Sequence, residues 1–499
     1  MKHFSIFLLF TVLLALILGS CQRDENFTTD SSSQLTFSTD TLLFDTVFTT
    51  LGSATRLMKV YNENADPIRI SNISIKGTTA AKFRMNVDGI SSESFEDVEI
   101  GGNDSLYIFA EVTIDPDQPL TASPFVINDE INFSTNGNDQ RVVLEAWGQN
   151  AIYVPPSKEA GGISLLTCDL TETVWDDPRP YVIYGVLVID SCSLVLPAGT
   201  EIYVHGGLAR GEDEDEQTFF YNDGIMVFLE QGRLVSEGTL EEPVIIQGDR
   251  LEESFDDIQG QWAGIRFSEG SRGNVLDHTI IKNSIIGIRA DSASNLIMTN
   301  SQIFNTSSSG LLGVHAQMRV QNCLFHSNGG NCVQLEYGGA YEFDYCTLAS
   351  YGVDASALKV SNALCLDLLC SEFRFNPVQA TFRNSIIFGS REDEIDLFNR
   401  LEDTSSDVFD YSFQNCVVRV KDLPTEESYL DFFDRCDPCI NGVPQDSLFF
   451  DHPENDYHLD TLSIAEMQAE PLPGLFFDLD GVMRDPVDPD IGCYEYIIQ

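Results

Sequence analysis

The sequence predicts an all-β chain built from two unlike parts, a β-sandwich followed by a parallel β-helix. Two observations carry that reading. Up to residue 152, short runs of β-formers alternate with turn residues and no helical period is present. Beyond residue 166, a four-residue phrase returns at intervals of 22, 22 and 23 residues, the sign of a stacked repeat. A chain of 499 residues has room for both. A hydrophobic fraction of 43% excludes wholesale disorder.

Taken in order, the first element is a leader over residues 1–20. Lys2 and His3 form a cationic start, and the mostly apolar run from Phe4 to Leu18 is too short to span a bilayer. Leu18-Gly19-Ser20-Cys21 resembles the lipobox of bacterial lipoproteins, which implies lipidation of Cys21 and an outer-membrane partner reached through that anchor. Gln22-Arg23-Asp24-Glu25 resembles the acidic export signal of Bacteroidota lipoproteins and implies exposure at the cell surface. Residues 21–33 then read as a flexible tether. Asp-Ser/Thr-apolar triplets, among them Asp40-Thr41-Leu42 and Asp460-Thr461-Leu462, resemble the O-glycosylation sequon of the same phylum.

Residues 34–152 carry candidate strands at Leu35–Phe37, Arg56–Tyr61, Ile68–Ile75, Leu106–Ile114, Ile131–Ser134 and Arg141–Trp147. Turn residues such as Asn136-Gly137-Asn138 separate them, as in a sandwich. Phe44-Asp45-Thr46-Val47-Phe48, Val60-Tyr61-Asn62 and Pro67-Ile68-Arg69-Ile70 resemble immunoglobulin-like modules of Bacteroidota surface proteins. Residues 153–165, with Pro155-Pro156 and Gly161-Gly162, read as a linker.

From 166 to 499 the repeat takes over. Its phrase is His278-Thr279-Ile280-Ile281, then Asn300-Ser301-Gln302-Ile303, Asn322-Cys323-Leu324-Phe325 and Tyr345-Cys346-Thr347-Leu348. Asn384-Ser385-Ile386-Ile387 and Asn415-Cys416-Val417-Val418 repeat it after insertions. The small column and the apolar column lie two residues apart, so on a strand both face inward. One circuit cannot bury that face alone, whereas stacking circuits about 4.8 Å apart turns each column into a ladder. Asn before the small residue suits a left-handed bend.

The ends of this region add a resemblance. Tyr181–Val188, Leu194–Thr200, Gly232–Thr239 and Glu242–Asp249 look like the first coils of right-handed parallel β-helices of the pectin-lyase-like group. Asp478-Leu479-Asp480-Gly481, Arg484 and Asp490-Ile491-Gly492-Cys493-Tyr494-Glu495 resemble that group's closing motif. The acidic run Glu212–Glu216 reads as a surface loop between early coils.

Charge and motifs bound the chemistry. A net charge of −50 argues against nucleic acid as a partner. Eleven cysteines besides Cys21 leave at least one thiol unpaired, and Cys436-Asp437-Pro438-Cys439 reads as packing or a local disulfide. Asp256-Asp257 is the obvious acidic pair, but its flanks read as a loop, and no lyase or hydrolase phrase stands in the repeat. The expected role is therefore non-catalytic binding of glycans, matrix or neighbouring cells by a monomer, with a polysaccharide lyase or glycoside hydrolase as the alternative. The expected binding face follows the small column by three residues, at Lys282, Phe304 and His326, beside a second line of Arg289, His315 and Glu336. Asp478 and Asp480 resemble half of a calcium loop.

Overall fold

The computed structural model describes residues 27–497 apart from 49–54, 78–80, 115–124, 155–162, 169–170, 207, 213–217, 223, 253–254, 368–370 and 402–407. The leader, Cys21 and the tip of the acidic loop lie outside the described residues. The chain divides into two compact units, Met1–Asn150 and Ala151–Gln499.

The first unit is a sandwich of two five-stranded sheets. One runs Thr36–Phe37, Arg56–Asn62, Asp104–Ile114, Ala81–Val87, Ile90–Ser92. The other runs Thr41–Phe48, Asn138–Gln149, Phe125–Thr135, Ile68–Ile75, Ser94–Ile100. All pairings are antiparallel except that of Thr41–Phe48 with Asn138–Gln149. Alternation fixes the register: Met58, Val60, Phe83, Met85, Ile108 and Phe133 are buried between the sheets while their neighbours face out.

The second unit is a right-handed parallel β-helix in which nine coils each supply one strand to each of three parallel sheets, the first sheet gaining two more from Cys416–Val418 and Cys439–Asn441. The first sheet holds the predicted phrase, with Ile281 opposite Ile303, Ile303 opposite Phe325, and Phe325 opposite Leu348. Thr279, Ser301, Cys323, Cys346, Ser385 and Cys416 are all fully buried, as is the apolar column beside them. The small column is small because each side chain turns back to its own strand's entry. Ser301 Oγ donates to the Thr299 carbonyl at 2.6 Å, and Cys346 Sγ to that of Asp344 at 3.4 Å. The residue before it is left-handed in all six repeats, including His278 and Tyr345, where Asn is replaced. In the third sheet Phe343, Phe382 and Phe413 stack inward with centroids 4.8 and 5.1 Å apart.

Two departures from the sequence reading concern the ends. The stretch expected as a linker contributes strands: Ile152–Val154 pairs with Tyr181–Ile183, and Ile163–Leu166 with Val186–Ile189. Ile152, Val154 and Leu166 have apolar side chains that pack on the core, so the first coil begins there. The C-terminal stretch from Gly442 adds no further coil. It lies across the outer face of the first sheet, where Leu448, Tyr457, Leu459, Ala465 and Ile491 cluster with Leu324, Tyr345, Ala349 and Phe388.

Candidate functional site

The three sheets of the β-helix present three outer faces, and the sequence-predicted residues fall on two of them. On the first, Phe304 stacks on His326 at 4.7 Å and His326 lies 4.8 Å from the Tyr457 ring. His326 is only 5% exposed, and burial pushes its imidazole down to about 4. The next positions of that column, Ala349 and Phe388, are buried too. Lys282 is paired with Asp256 at 2.8 Å. The line Lys282, Phe304 and His326 is therefore not the open strip that the spacing suggested, because the closing segment covers its lower part. The Asp256-Asp257 loop covers the corner above. Asn283 donates to the Asp256 carbonyl, Asn305 to the Asp257 carboxylate, and Gln259 to the Ser327 carbonyl, one contact per coil.

On the second face, Arg289 and Arg266 both grip the buried carboxylate of Asp291, at 2.8 and 2.7 Å. Glu336 accepts from Gln334 at 2.6 Å and pairs with Lys359 at 3.2 Å. His315 packs edge-on to Tyr337, and its backbone N–H bonds the Glu336 carbonyl. Arg289, His315 and Glu336 thus serve three separate local contacts.

The residues expected to hold calcium are committed elsewhere. Asp478 is buried, and its two oxygens accept the backbone N–H groups of Asp480, Val482 and Glu495 at 2.7–2.9 Å. Asp480 faces His458 at 2.9 Å. No group of three or more His, Cys, Asp or Glu suited to a metal is found among the described residues. The Asp478 carboxylate thus organises a turn, and that of Asp480 pairs with His458.

The third face is open. Its strands run from Glu172–Val174 through Asn295–Thr299 and Gln317–Gln321 to Phe409–Gln414. Register aligns Val174, Val195 and Val235 into an outward column, continued by Val275 and Ile297 and then by Arg319, Glu342, Thr381 and Ser412. Val174 and Ile297 are 44% and 45% exposed. Beside the lower part of this column run Asn295, Gln317, Ala340 and Gln379, and the side-chain amides of Asn295, Gln317 and Gln379 offer both donors and acceptors. Two depressions follow one another along the face. One of about 420 Å³ is centred on Val195 and Val235, and one of about 330 Å³ on Ile297, Arg319 and Glu342. Nine strands about 4.8 Å apart make a shallow trough roughly 38 Å long.

No close carboxylate pair lines either depression, although register sets Glu237 opposite Asp277 at the edge of the face, where Asp277 accepts from Thr299 and Asn300. In the upper depression Glu172 and Glu237 stand two strands and four residues apart, roughly 16 Å between backbones. Glycoside hydrolysis needs two carboxyl groups within about 5–10 Å. Glu342 is the one carboxylate lining the lower depression. The buried acid Glu394, pushed up to about 7 by desolvation, accepts the N–H groups of Ala357 and Arg391 and holds a corner. Sequence reasoning missed the trough because the repeat was indexed on the first strand of each coil. The signal was present in the third strand, where Asn295, Ile297 and Thr299 alternate with buried Leu296 and Met298.

Comparison with known proteins supports the architecture. A family model described as right handed beta helix region matches residues 214–348. The chain is thus all-β with a right-handed parallel β-helix. Among solved structures, the catalytic unit of a GH87 alpha-1,3-glucanase from Streptomyces thermodiastaticus is 10% identical, with 72% of each chain covered and a TM-score of 0.27. A family 123 glycoside hydrolase from Clostridium perfringens is 8% identical, covering 36% of this chain and 38% of that one, with a TM-score of 0.17. A FixG-related protein from Vibrio parahaemolyticus is 14% identical, covering 20% of this chain and 80% of that one, with a TM-score of 0.15. Likenesses at these scores carry no functional argument. Curated proteins yield no match.

Proposed function

We propose that the chain is a lipid-anchored cell-surface protein whose β-helix binds a glycan along the third-sheet trough without cleaving it. The observation that carries this reading is the trough itself: an outward apolar column from Val174 to Ile297 that passes at Ile297 into a stretch edged by the side-chain amides of Asn295, Gln317 and Gln379, with no close carboxylate pair among the residues lining its two depressions. The apolar column suits the C–H face of a pyranose, and the amides suit its hydroxyls. Repetition at the coil spacing suits a polymer, since successive sugars meet successive rungs.

Export is supported by the lipobox-like Leu18-Gly19-Ser20-Cys21 and by disulfides, which persist in oxidising compartments. Cys168 is bonded to Cys192, Cys436 to Cys439, and Cys365 is also disulfide-bonded. Among the described residues, the free thiols of Cys323, Cys332, Cys346, Cys416 and Cys493 are all buried. The test is to present residues 22–499 to a panel of polysaccharides, with and without calcium, and to analyse the products. Retention of one polymer with its length unchanged supports binding. Shortened chains or ultraviolet-absorbing unsaturated uronides would establish a hydrolase or lyase instead.

A further inference from the structure

The sandwich carries a feature that the trough reading does not use. On the outer face of the sheet formed by Arg56–Asn62, Asp104–Ile114 and Ala81–Val87, Tyr107 and Phe109 stand 44% and 40% exposed. They are two residues apart on one strand, so their rings emerge about 7 Å from each other on the same side. Register sets Lys59 opposite Tyr107 and Leu57, itself 48% exposed, opposite Phe109. Asn86 flanks Phe109 on the other side, and Arg84 lies opposite Glu111. Parity alone would put polar residues at these sites on a solvated sheet. Aromatic and aliphatic side chains there leave a flat apolar patch in water at a cost proportional to its area.

The charge around the patch inverts that of the chain. The protein has 28 basic residues against 78 acidic ones. The outward positions of these three strands hold Lys59, Lys82 and Arg84 against Glu111. The cations are also loosely held. The Lys59 ammonium sits 4.8 Å from the Tyr107 ring centroid, and no ion pair with a carboxylate engages it among the described residues. Arg84 and Lys82 reach Glu111 and Glu93 only at 3.9 Å. On the opposite sheet Arg69 and Arg141 are closed onto Glu99 and Glu130 at 2.7 Å. Lys76 of that sheet also reaches Glu130, at 3.8 Å, so what sets the first face apart is Lys59, a cation placed beside an exposed ring.

We infer that this face is a second binding site, for a polysaccharide bearing uronate carboxylates. The pyranose ring stacks on Tyr107 and Phe109, and the carboxylate lies toward Lys59, with Arg84 at the edge of the platform. A neutral glycan uses the rings and leaves the cations idle. A small anion uses the cations and leaves the rings wet. Only a ligand that joins an apolar face to a negative charge uses both. This site is independent of the trough, because it lies on the other unit and involves none of the same residues.

Polygalacturonate is the probe, with its methyl ester as the uncharged control and residues 22–499 as the protein. The wild type is expected to bind the acid more tightly than the ester, and more weakly as salt is raised. Tyr107→Ala with Phe109→Ala should weaken binding about tenfold, the scale of two lost ring contacts. Lys59→Glu should weaken it likewise and flatten the salt dependence, and Lys59→Gln guards against a folding defect of the charge reversal. The trough variant Ile297→Glu should retain polygalacturonate binding, so the two readings fail separately. Equal binding of acid and ester, or no binding of either, would overturn the inference. So would full binding by the Tyr107/Phe109 variant, including the case where that variant changes only the sedimentation of the protein.

Discussion

Replacing Arg484 by Met should release the closing segment while leaving the coils intact. Arg484 is 4% exposed, and its guanidinium donates to Glu495 at 2.7 Å, to Asn322 Oδ1 at 2.7 Å and to the Gly492 carbonyl at 3.1 Å. It also lies 3.9 Å from the Tyr345 ring centroid. It therefore ties residues 484–495 to two successive corners of the β-helix. Methionine fills much of the volume but leaves the Glu495 carboxylate buried without its cation. Breaking a buried pair from one side costs about 3–5 kcal/mol. Burial already raises the Glu495 carboxyl against the pull of Arg484, so its neutralisation recovers part of that cost. The double variant Arg484→Met/Glu495→Leu should stand between the single variant and wild type. It stays below wild type because Glu495 also accepts the N–H of Asp490, a donor then left unpaired at about 1–3 kcal/mol. Hydrogen exchange resolved by segment is the assay. Amides within 442–497 should lose protection by two or more decades, while those of 279–282 and 302–304 keep theirs. Equal loss everywhere, or a double variant less protected than Arg484→Met, would refute this account of the closure.

Three further outcomes follow from the same geometry. Phe325→Ala removes a fully buried rung between Ile303 and Leu348 and should lower unfolding free energy by about 3–5 kcal/mol in denaturant titration; a loss near zero would contradict the ladder. Asn300 has φ of 49° and bonds Asp277 and Asn322, so Asn300→Ala should cost about 1 kcal/mol more than Asn300→Gly, the reverse of helix behaviour. His458 lies between Asp480 and Asp456, whose hydrogen bonds raise its imidazole to about 9 against burial. A raised base stabilises fully below its unfolded value near 6.5 and ceases to do so as pH rises through about 9, so the closing segment's protection, taken relative to intrinsic exchange, should fall as pH passes 9. His458→Gln should remove that pH dependence, and a dependence that persists would assign it to another group.

What could be read in advance was whatever repeats. The inward ladders, the left-handed corner and the adjacency of Cys323 and Cys346 depend on contacts one circuit apart, and a fixed interval of about 22 residues encodes them. What could not be read depended on distant chain. Nothing local to Lys282, Phe304 or His326 says that Tyr457 and Asn455 fold back over that face, although Ala349 and Phe388 in the same column were a hint of a covered surface. Asp478-Leu479-Asp480-Gly481 has the spacing of a metal loop, but the oxygens of Asp478 are spent on amides that only the folded turn supplies. The boundary at 153–165 was obscured because the strands Ile152–Val154 and Ile163–Leu166 are too short to show a period. Of the sandwich strands not anticipated, Ala81–Val87 alternates without a break and was legible, whereas Ser94–Ile100 loses its phase at the left-handed Asp97.

The central claim is that the open face of the third sheet holds a glycan. Its most direct test is calorimetric titration of the polysaccharide retained in the panel against wild type and the outward-facing variant Ile297→Glu/Gln317→Ala. Loss of about tenfold or more in affinity, with unchanged unfolding and unchanged polymer length, is the predicted result. Undiminished affinity in that variant would show that the trough is not where the ligand lies.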